Sequence, residues 1–292
     1  MALGGGFMIK TGLIVNLNKD IDIKFIESII NWFKERNYEL LIQNELIEKF
    51  KLNEKSYETL QIYENSDIIV VFGGDGTILG TAKNASKFGV PILGVNFGHL
   101  GFMTDAEAND TFEALESIIK NEYKLDERMM LEVVVVNNNN IKNRFHCLNE
   151  AGITRGTLSK MLMLNINING EYFDSYNADG LLISTPTGST AYSLSAGGPI
   201  INPRVDGILI TPVCPHSLSA RSLIVAGNEE IEVGIDSAFH DAYLTIDGQL
   251  GCEIEANDRI IIKKSSYVTK LIKVSNRSFY DVLRKKLKER LI

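Results

Sequence analysis

The sequence predicts an α/β N-terminal domain with a parallel, Rossmann-like sheet, then a β-rich, sandwich-like C-terminal domain, and a C-terminal helix that packs back. Three observations carry this. Up to about Tyr123, short apolar runs alternate with segments of helical spacing; after Lys124, strand-like runs succeed one another with little helical periodicity; and a glycine loop, Gly73-Gly74-Asp75-Gly76-Thr77, directly follows the apolar run 68–72. Alternating β and α segments at these lengths argue for a parallel sheet wrapped by helices, and a run of strands after them for a separate β-rich unit. The expected divisions are residues 8–125, residues 126–268 and a tail, 269–292, returning to the N-terminal domain. With 292 residues and 45% hydrophobic content, the chain can bury both cores.

Each element has its own signal. Residues 11–15 form a strand, and residues 22–36 carry apolar side chains at helical spacing, with Trp32 as a packing residue. Residues 68–72 and 90–95 are further strands, with a helix starting at Ile78 between them. Beyond Lys124, strands are expected over 131–136, 161–168, 181–183, 222–226, 230–235, 242–246 and 259–263, with the four asparagines 137–140 as a hairpin turn. Residues 281–290 are charged and helix-prone. The opening residues 1–7, ahead of Met8, read as an added leader outside the fold.

Thirty Lys+Arg against 37 Asp+Glu give a formal charge of −7 with no dense basic patch, which makes nucleic acid and anionic membranes poor partners. Cys147, Cys214 and Cys252 are too scattered for a disulfide framework or a C-x-x-C zinc site, which fits a cytoplasmic location. No stretch approaches the roughly 18 consecutive apolar residues of a spanning helix. His99, His146, His216 and His240 show no ligand spacing, and Cys214 with His216 lacks a third group to orient a nucleophile.

The glycine loop points to phosphate. Glycines let backbone N–H groups approach an anion, a helix after the loop adds the positive end of its dipole, and Asp75 is placed to meet a metal ion or a hydroxyl. An ordinary tight turn would use the same residues. The Walker A lysine and the G-x-G-x-x-G spacing are both absent, so the usual nucleotide fingerprints do not apply. A second unusual stretch is Asp179-Gly180 and the strand 181–183 running into Ser184-Thr185-Pro186-Thr187-Gly188-Ser189-Thr190-Ala191-Tyr192. One or two of its hydroxyls would cap a helix; five in seven residues suggest groups that read a ribose or a base edge, with Tyr192 as a stacking surface.

Together these stretches resemble the NAD kinase family, in which GGDGT and a downstream DG…STPTGSTAY segment recur in that order. Further matches are the segments 98–102, 195–200, 214–221 and 247–249 and the pair Asn149-Glu150, so that the resemblance spans about residues 11–276. It implies ATP-dependent phosphorylation of the adenosine ribose 2′-hydroxyl of NAD to give NADP, in a site between the two domains. It further implies a divalent metal, Mg²⁺ or Mn²⁺, and assembly into homodimers or homotetramers. By matched position, Asp75 would be the catalytic carboxylate, as base or as metal ligand, and Gly73, Gly74, Asp75, Gly76 and Thr77 would bind ATP. NAD would be held by Asp75, Gly76, Phe102, Asn149, Glu150, Asp179, Thr187, Thr190, Ala191, Tyr192, Ser195 and Asp247. Glu150 has its own rationale, since one carboxylate can accept hydrogen bonds from two vicinal ribose hydroxyls. The family pattern often has arginine where this chain has Asn177, which puts any phosphate or subunit contact made there in doubt.

Two other functions fit parts of the sequence. Lipid kinases of the diacylglycerol or sphingoid-base type share GGDGT, but tend to follow it at once with Asn-Glu, here displaced to Asn149-Glu150. A non-catalytic NAD(P) sensor would keep the groove without the chemistry, and the presence of Asp75 speaks against it.

Overall fold

The computed structural model describes residues 9–19, 21–98, 101–156, 160–235, 241–255 and 257–289. The leader, His99, Leu100, His240 and Arg290 lie outside the described residues. The chain divides into two compact units, one from residues up to 127 together with 269 onward, the other from residues 128–268.

In the first unit, β1 (Lys10–Val15) leads into α1 (Ile23–Glu35), β2 (Glu39–Gln43), α2 (Asn44–Phe50) and β3 (Ser56–Tyr57), then α3 (Thr59–Asn65) and β4 (Ile68–Phe72). Next come α4 (Asp75–Phe88), β5 (Ile92–Asn96), β6 (Ala106–Glu107) and α5 (Thr111–Ile119). Asp22 starts α1, its carboxylate accepting the Lys24 N–H at 2.9 Å, and the helix buries Ile26, Ile29, Ile30, Trp32 and Phe33 against the sheet core. The main strands are parallel in the order β3-β2-β1-β4-β5, with β6 beside β5. β4 is buried at every position, as a parallel strand covered on both faces must be. This order reverses between β1 and β4, the place where open α/β sheets leave a crevice at the carboxyl ends of their strands.

Residues 269–273 add a further parallel neighbour to β5, with Leu271 opposite Ile92. Buried Asp105 anchors the chain beyond this strand: its carboxylate accepts the N–H groups of Val274 and Ser275, both at 2.7 Å, and pairs with Lys273. The C-terminal helix Phe279–Glu289 then brings the Phe279 ring to 6.0 Å from that of Phe102.

The second unit is antiparallel. β7 (Lys124–Asn137) and β8 (Asn140–Cys147) form a hairpin, turned by Asn138 and Asn139 at positive φ, a conformation asparagine tolerates. β9 (Glu150–Arg155), β10 (Leu162–Ile168), β11 (Glu171–Ala178) and β12 (Gly180–Ser184) come next, then the single turn α6 (Tyr192–Ser195). The remaining strands are β13 (Gly207–Val213), β14 (Leu223–Ala226), β15 (Ile231–Ile235), β16 (Ala242–Ile246), β17 (Gln249–Ile254) and β18 (Asp258–Lys273). One sheet runs β11-β10-β15-β18 with β7 and β8 alongside; the other runs β14-β13-β12-β9-β16-β17. Leu164, Val233 and Ile260 of the first share a core with Ile153, Leu181, Ile210 and Leu244 of the second, so the two sheets pack as a sandwich.

Candidate functional site

Each unit brings together a set of polar groups. In the first, the turn after β1 and the turn after β4 meet at the reversal of strand order. The Asn16 amide N–H₂ donates to Thr77 Oγ1 at 3.0 Å, and the Asn16 backbone N–H to the Phe72 carbonyl at 2.9 Å. Beside them lies a cleft of about 500 Å³ lined by Asn16, Lys19, Gly74, Gly76 and Thr77, with Tyr63 and Thr81 further in. The glycines have different reasons. A Cβ on Gly73 would stand 2.3 Å from Thr77 Oγ1, whereas one on Gly74 or Gly76 would meet nothing within 4 Å. Gly73 is therefore demanded by close packing of the turn, and the other two keep the cleft side open.

The helix begins at Asp75, not at Ile78 as the sequence suggests, with Gly74 as its cap. Asp75, Gly76 and Thr77 form its first turn, where a carboxylate gains from the helix dipole. The Asp75 side chain does not line the cleft; it turns to the segment 101–103, accepting the Phe102 N–H at 2.8 Å and the Met103 N–H at 3.1 Å. This approach requires Gly101, whose Cβ would lie 2.0 Å from Asp75 Oδ1. Two of the roughly four acceptor positions of the carboxylate are thus filled by backbone, and the others remain for a hydroxyl or a metal.

In the second unit, β12, β9 and β16 are neighbours, and their register puts Ser184 opposite Glu150 and Ile246 opposite Ala151. The ends that carry Glu150, Ser184 and Asp247 therefore coincide. Asp247, at a φ of 51°, accepts the N–H groups of Leu148, Asn149 and Glu150 at 3.0, 2.7 and 3.2 Å, which fixes the chain entering β9. The Asn149 carbonyl accepts the Thr185 N–H at 2.8 Å and lies so near Gly188 that a Cβ there would be 2.1 Å away. Glu150 is 4% exposed; its Oε2 and the Ser184 Oγ are buried without a hydrogen-bond partner. Burial, and secondarily the Asp247 charge, raise the Glu150 carboxyl to about 7.

The hydroxyls of the serine- and threonine-rich turn make local hydrogen bonds. Thr185 donates to the Leu148 carbonyl, Ser189 to that of Pro186 and Thr190 to that of Thr187, while Thr187 accepts from Arg128. A tight turn leaves backbone carbonyls without helix or strand partners, and the hydroxyls satisfy them. Ala191, Tyr192 and Ser195 lie just beyond on the same turn, Tyr192 and Ser195 exposed. Asp179 stands apart: five strand residues separate it from the Glu150 end of β12, and it pairs with Arg155 at 2.6 Å. Arg155, Lys19 and Asn16 lie in no matched motif, whereas Gly101 falls in the matched segment 98–102. Lys19 had a signal, a lysine in the turn directly after the first strand; the others act through partners remote in sequence.

Among the described residues, no three His, Cys, Asp or Glu side chains gather as a metal cage, and no helix is long and apolar enough to cross a membrane.

Comparison with known proteins gives a consistent result. Residues 11–123 match the ATP-NAD kinase N-terminal domain and residues 148–274 the ATP-NAD kinase C-terminal domain. An NAD kinase of Thermoanaerobacter sp. (strain X514) is 46% identical over 283 residues, which is 97% of this chain and 100% of that protein. An NAD kinase of Acetivibrio thermocellus is 40% identical over 284 residues, 97% of this chain and 98% of its own. Among solved structures, yeast NADH kinase complexed with NADH superposes with a TM-score of 0.85 at 26% identity, covering 95% of this chain and 86% of that one. An Archaeoglobus fulgidus NAD kinase in complex with ATP, at 23% identity and a TM-score of 0.72 over 96% of this chain and 99% of that one, shares the fold. With both halves matched and full-length relatives well above 30% identity, the chain belongs to the NAD kinase family.

Proposed function

We propose that this enzyme transfers the γ-phosphoryl group of ATP to the 2′-hydroxyl of the adenosine ribose of NAD, giving NADP and ADP. The observation that carries the reading of the second unit is the orphaned Glu150 Oε2: a buried carboxylate oxygen without a partner costs free energy unless a ligand donates to it. Vicinal ribose hydroxyls are donors of that kind. Asn149, held by Asp247 together with Glu150, lies beside it for further polar contact, and Thr187, Thr190, Ala191, Tyr192 and Ser195 would line the remainder of the dinucleotide groove. Phe102 would support it from the segment that holds Asp75. Asp179, at the far end of β12, would reach only a distant part of the dinucleotide.

Phosphoryl transfer asks for alignment and charge management more than for covalent chemistry. The 2′-oxygen forms the new P–O bond as the bond to the ADP oxygen breaks, and the hydroxyl proton leaves to Asp75 or to water. Backbone bonds from Phe102 and Met103 aim the Asp75 carboxylate and leave it acceptor capacity. Magnesium would neutralise phosphate charge; the residues fit it as an ion carried on the donor's phosphates, with Asp75 as the carboxylate ligand, because Mg²⁺ commonly needs only one or two carboxylates beside phosphate and water.

A coupled assay for NADP with NAD, ATP and Mg²⁺ tests this on the enzyme and on Asp75→Asn. The expected result is NADP from the first and a loss of several orders of magnitude in the second. Absence of NADP from folded enzyme that binds NAD would overturn it. Assembly into dimers or tetramers is part of the same reading, supported by Tyr172 and Phe173, exposed on the outer strand β11. A cytoplasmic setting is supported by three cysteines left as free thiols.

A further inference from the structure

We infer that Ser184 is a positioning residue for Glu150, its buried hydroxyl donating to the ionised Glu150 carboxylate and holding it ready for the ribose of the dinucleotide. This rests on the ribose reading of Glu150 above and adds what supports that carboxylate inside the fold.

Ser184 closes β12 and Glu150 opens β9, and the antiparallel register sets the two opposite each other. Facing residues of an antiparallel pair lie on one side of the sheet with Cβ atoms about 4.5–5.5 Å apart, a gap that a hydroxyl and a carboxylate span together. Both side chains are buried, and the Ser184 Oγ and the Glu150 Oε2 each lack a hydrogen-bond partner. Buried polar atoms are nearly always paired, so a donor and an acceptor left over at facing positions are matched to each other. The rest of the turn sharpens the contrast. Thr185 donates to the Leu148 carbonyl at 2.5 Å and Ser189 to that of Pro186 at 2.6 Å, while the Ser193 and Thr211 hydroxyls bond each other at 3.0 Å. Ser184 follows the buried run Leu181, Leu182 and Ile183, where packing asks for no hydroxyl.

The charges around Glu150 explain why it needs a donor. Asp247, just past β16, sets a second negative charge near it, and Cys147, at the end of β8, is kept neutral by burial and by these two carboxylates. The N–H groups of Leu148, Asn149 and Glu150 itself all go to Asp247. Burial and Asp247 thus work against the charged form of Glu150, and a hydroxyl that donates to that form works against both. The same donor leaves room for the ligand: a carboxylate oxygen has two lone pairs, so Oε2 can accept from Ser184 and from a ribose hydroxyl together.

The test uses the full chain and two readouts. In steady-state kinetics with saturating ATP, Ser184→Ala is expected to raise the KM for NAD about tenfold at pH 6 and to converge on the parent by pH 9, because loss of the donor lets the carboxyl keep its proton to about one pH unit higher. The KM for ATP should not change. A merely structural role would raise the KM for NAD by the same factor at every pH. Urea unfolding needs no turnover: the gap between the parent and Ser184→Ala should widen from pH 6 to pH 9 by about tenfold in the unfolding constant, since the variant loses more when Glu150 ionises. In the Glu150→Gln background, Ser184→Ala should produce no such widening. A KM ratio that is constant with pH, an unfolding gap that does not widen, or a widening that persists in Glu150→Gln overturns the inference and leaves the kinase reading standing. A Glu150→Gln enzyme with the parent's KM for NAD overturns the ribose reading, and with it the inference that Ser184 holds Glu150 for that ligand.

Discussion

Glu150→Gln should make the protein more stable at alkaline pH while disabling it. Burial and the neighbouring Asp247 raise the Glu150 carboxyl from 4.5 to about 7. At about 1.4 kcal/mol per pH unit, that difference corresponds to about 3 kcal/mol. The folded chain holds the proton more tightly than the unfolded chain does, so the contribution to stability is fully present below about pH 4.5 and is lost as pH rises through 7. Glutamine has nearly the same shape and never ionises. Urea unfolding of both proteins at pH 5, 6, 7, 8 and 9 should therefore give similar free energies at pH 5, with the glutamine form gaining as pH rises, toward about 3 kcal/mol at pH 9 less the cost of its own unpaired N–H₂. On the proposed ribose contact, NADP formation should fall in the same protein, because glutamine would offer two hydroxyls one neutral oxygen in place of a carboxylate. In the parent enzyme the KM for NAD should rise as pH drops below 7, when Glu150 takes up its proton. A stability gap that does not change from pH 5 to pH 9 would refute the reasoning, since it would mean that Glu150 is not charged at a cost in the fold.

Two further substitutions probe how the carboxylates are held. Gly101→Ala puts a methyl carbon where Asp75 Oδ1 stands, 2.0 Å away, and should lower NADP formation toward that of Asp75→Asn, with a lower melting temperature; turnover within about threefold of the parent would show that the turn yields freely. Asp105→Ala removes the acceptor of two backbone N–H groups and the partner of Lys273, and should cost about 3–5 kcal/mol in chemical denaturation. Hydrogen exchange should then quicken over residues 273–289, and unchanged protection there would show that the tail is held by other contacts.

Where a pattern was local, the sequence revealed it. The strand 68–72 is a continuous apolar run that ends at the glycine turn, and α1 has both its capping aspartate and its apolar stripe. β18 was legible only as residues 259–263, because Lys263 and Lys264 are both exposed and shift the alternation by one residue before the strand continues to Lys273. β13 was missed, its run interrupted near its end by a proline and buried throughout but for its last residue. In the site, the glycine turn and Glu150 were visible as residue types, yet the burial that raises Glu150 was not, nor the bonds from its N–H and those of Leu148 and Asn149 to Asp247, 97 residues further along. The hydroxyls of the turn were visible as well, but not that Thr185, Ser189 and Thr190 each donate to a nearby backbone carbonyl, because a serine or threonine looks the same in sequence whatever it donates to.

Because Phe102 and Asp105 of the first unit are completed by residues 273–279, that unit cannot finish itself during synthesis in the order in which it is made. Some 169 residues must be added between Asp105 and its partner Val274, roughly ten to thirty seconds of translation. Throughout that interval the strand and glycine turn that carry Asp75 already exist, while the support behind the Phe102 segment is missing. The nascent chain thus lacks the partners of Asp105 and the Phe279 ring beside Phe102 until the last helix emerges, and a chain cut short before residue 273 would carry the entire glycine motif without the contacts behind the segment that meets Asp75.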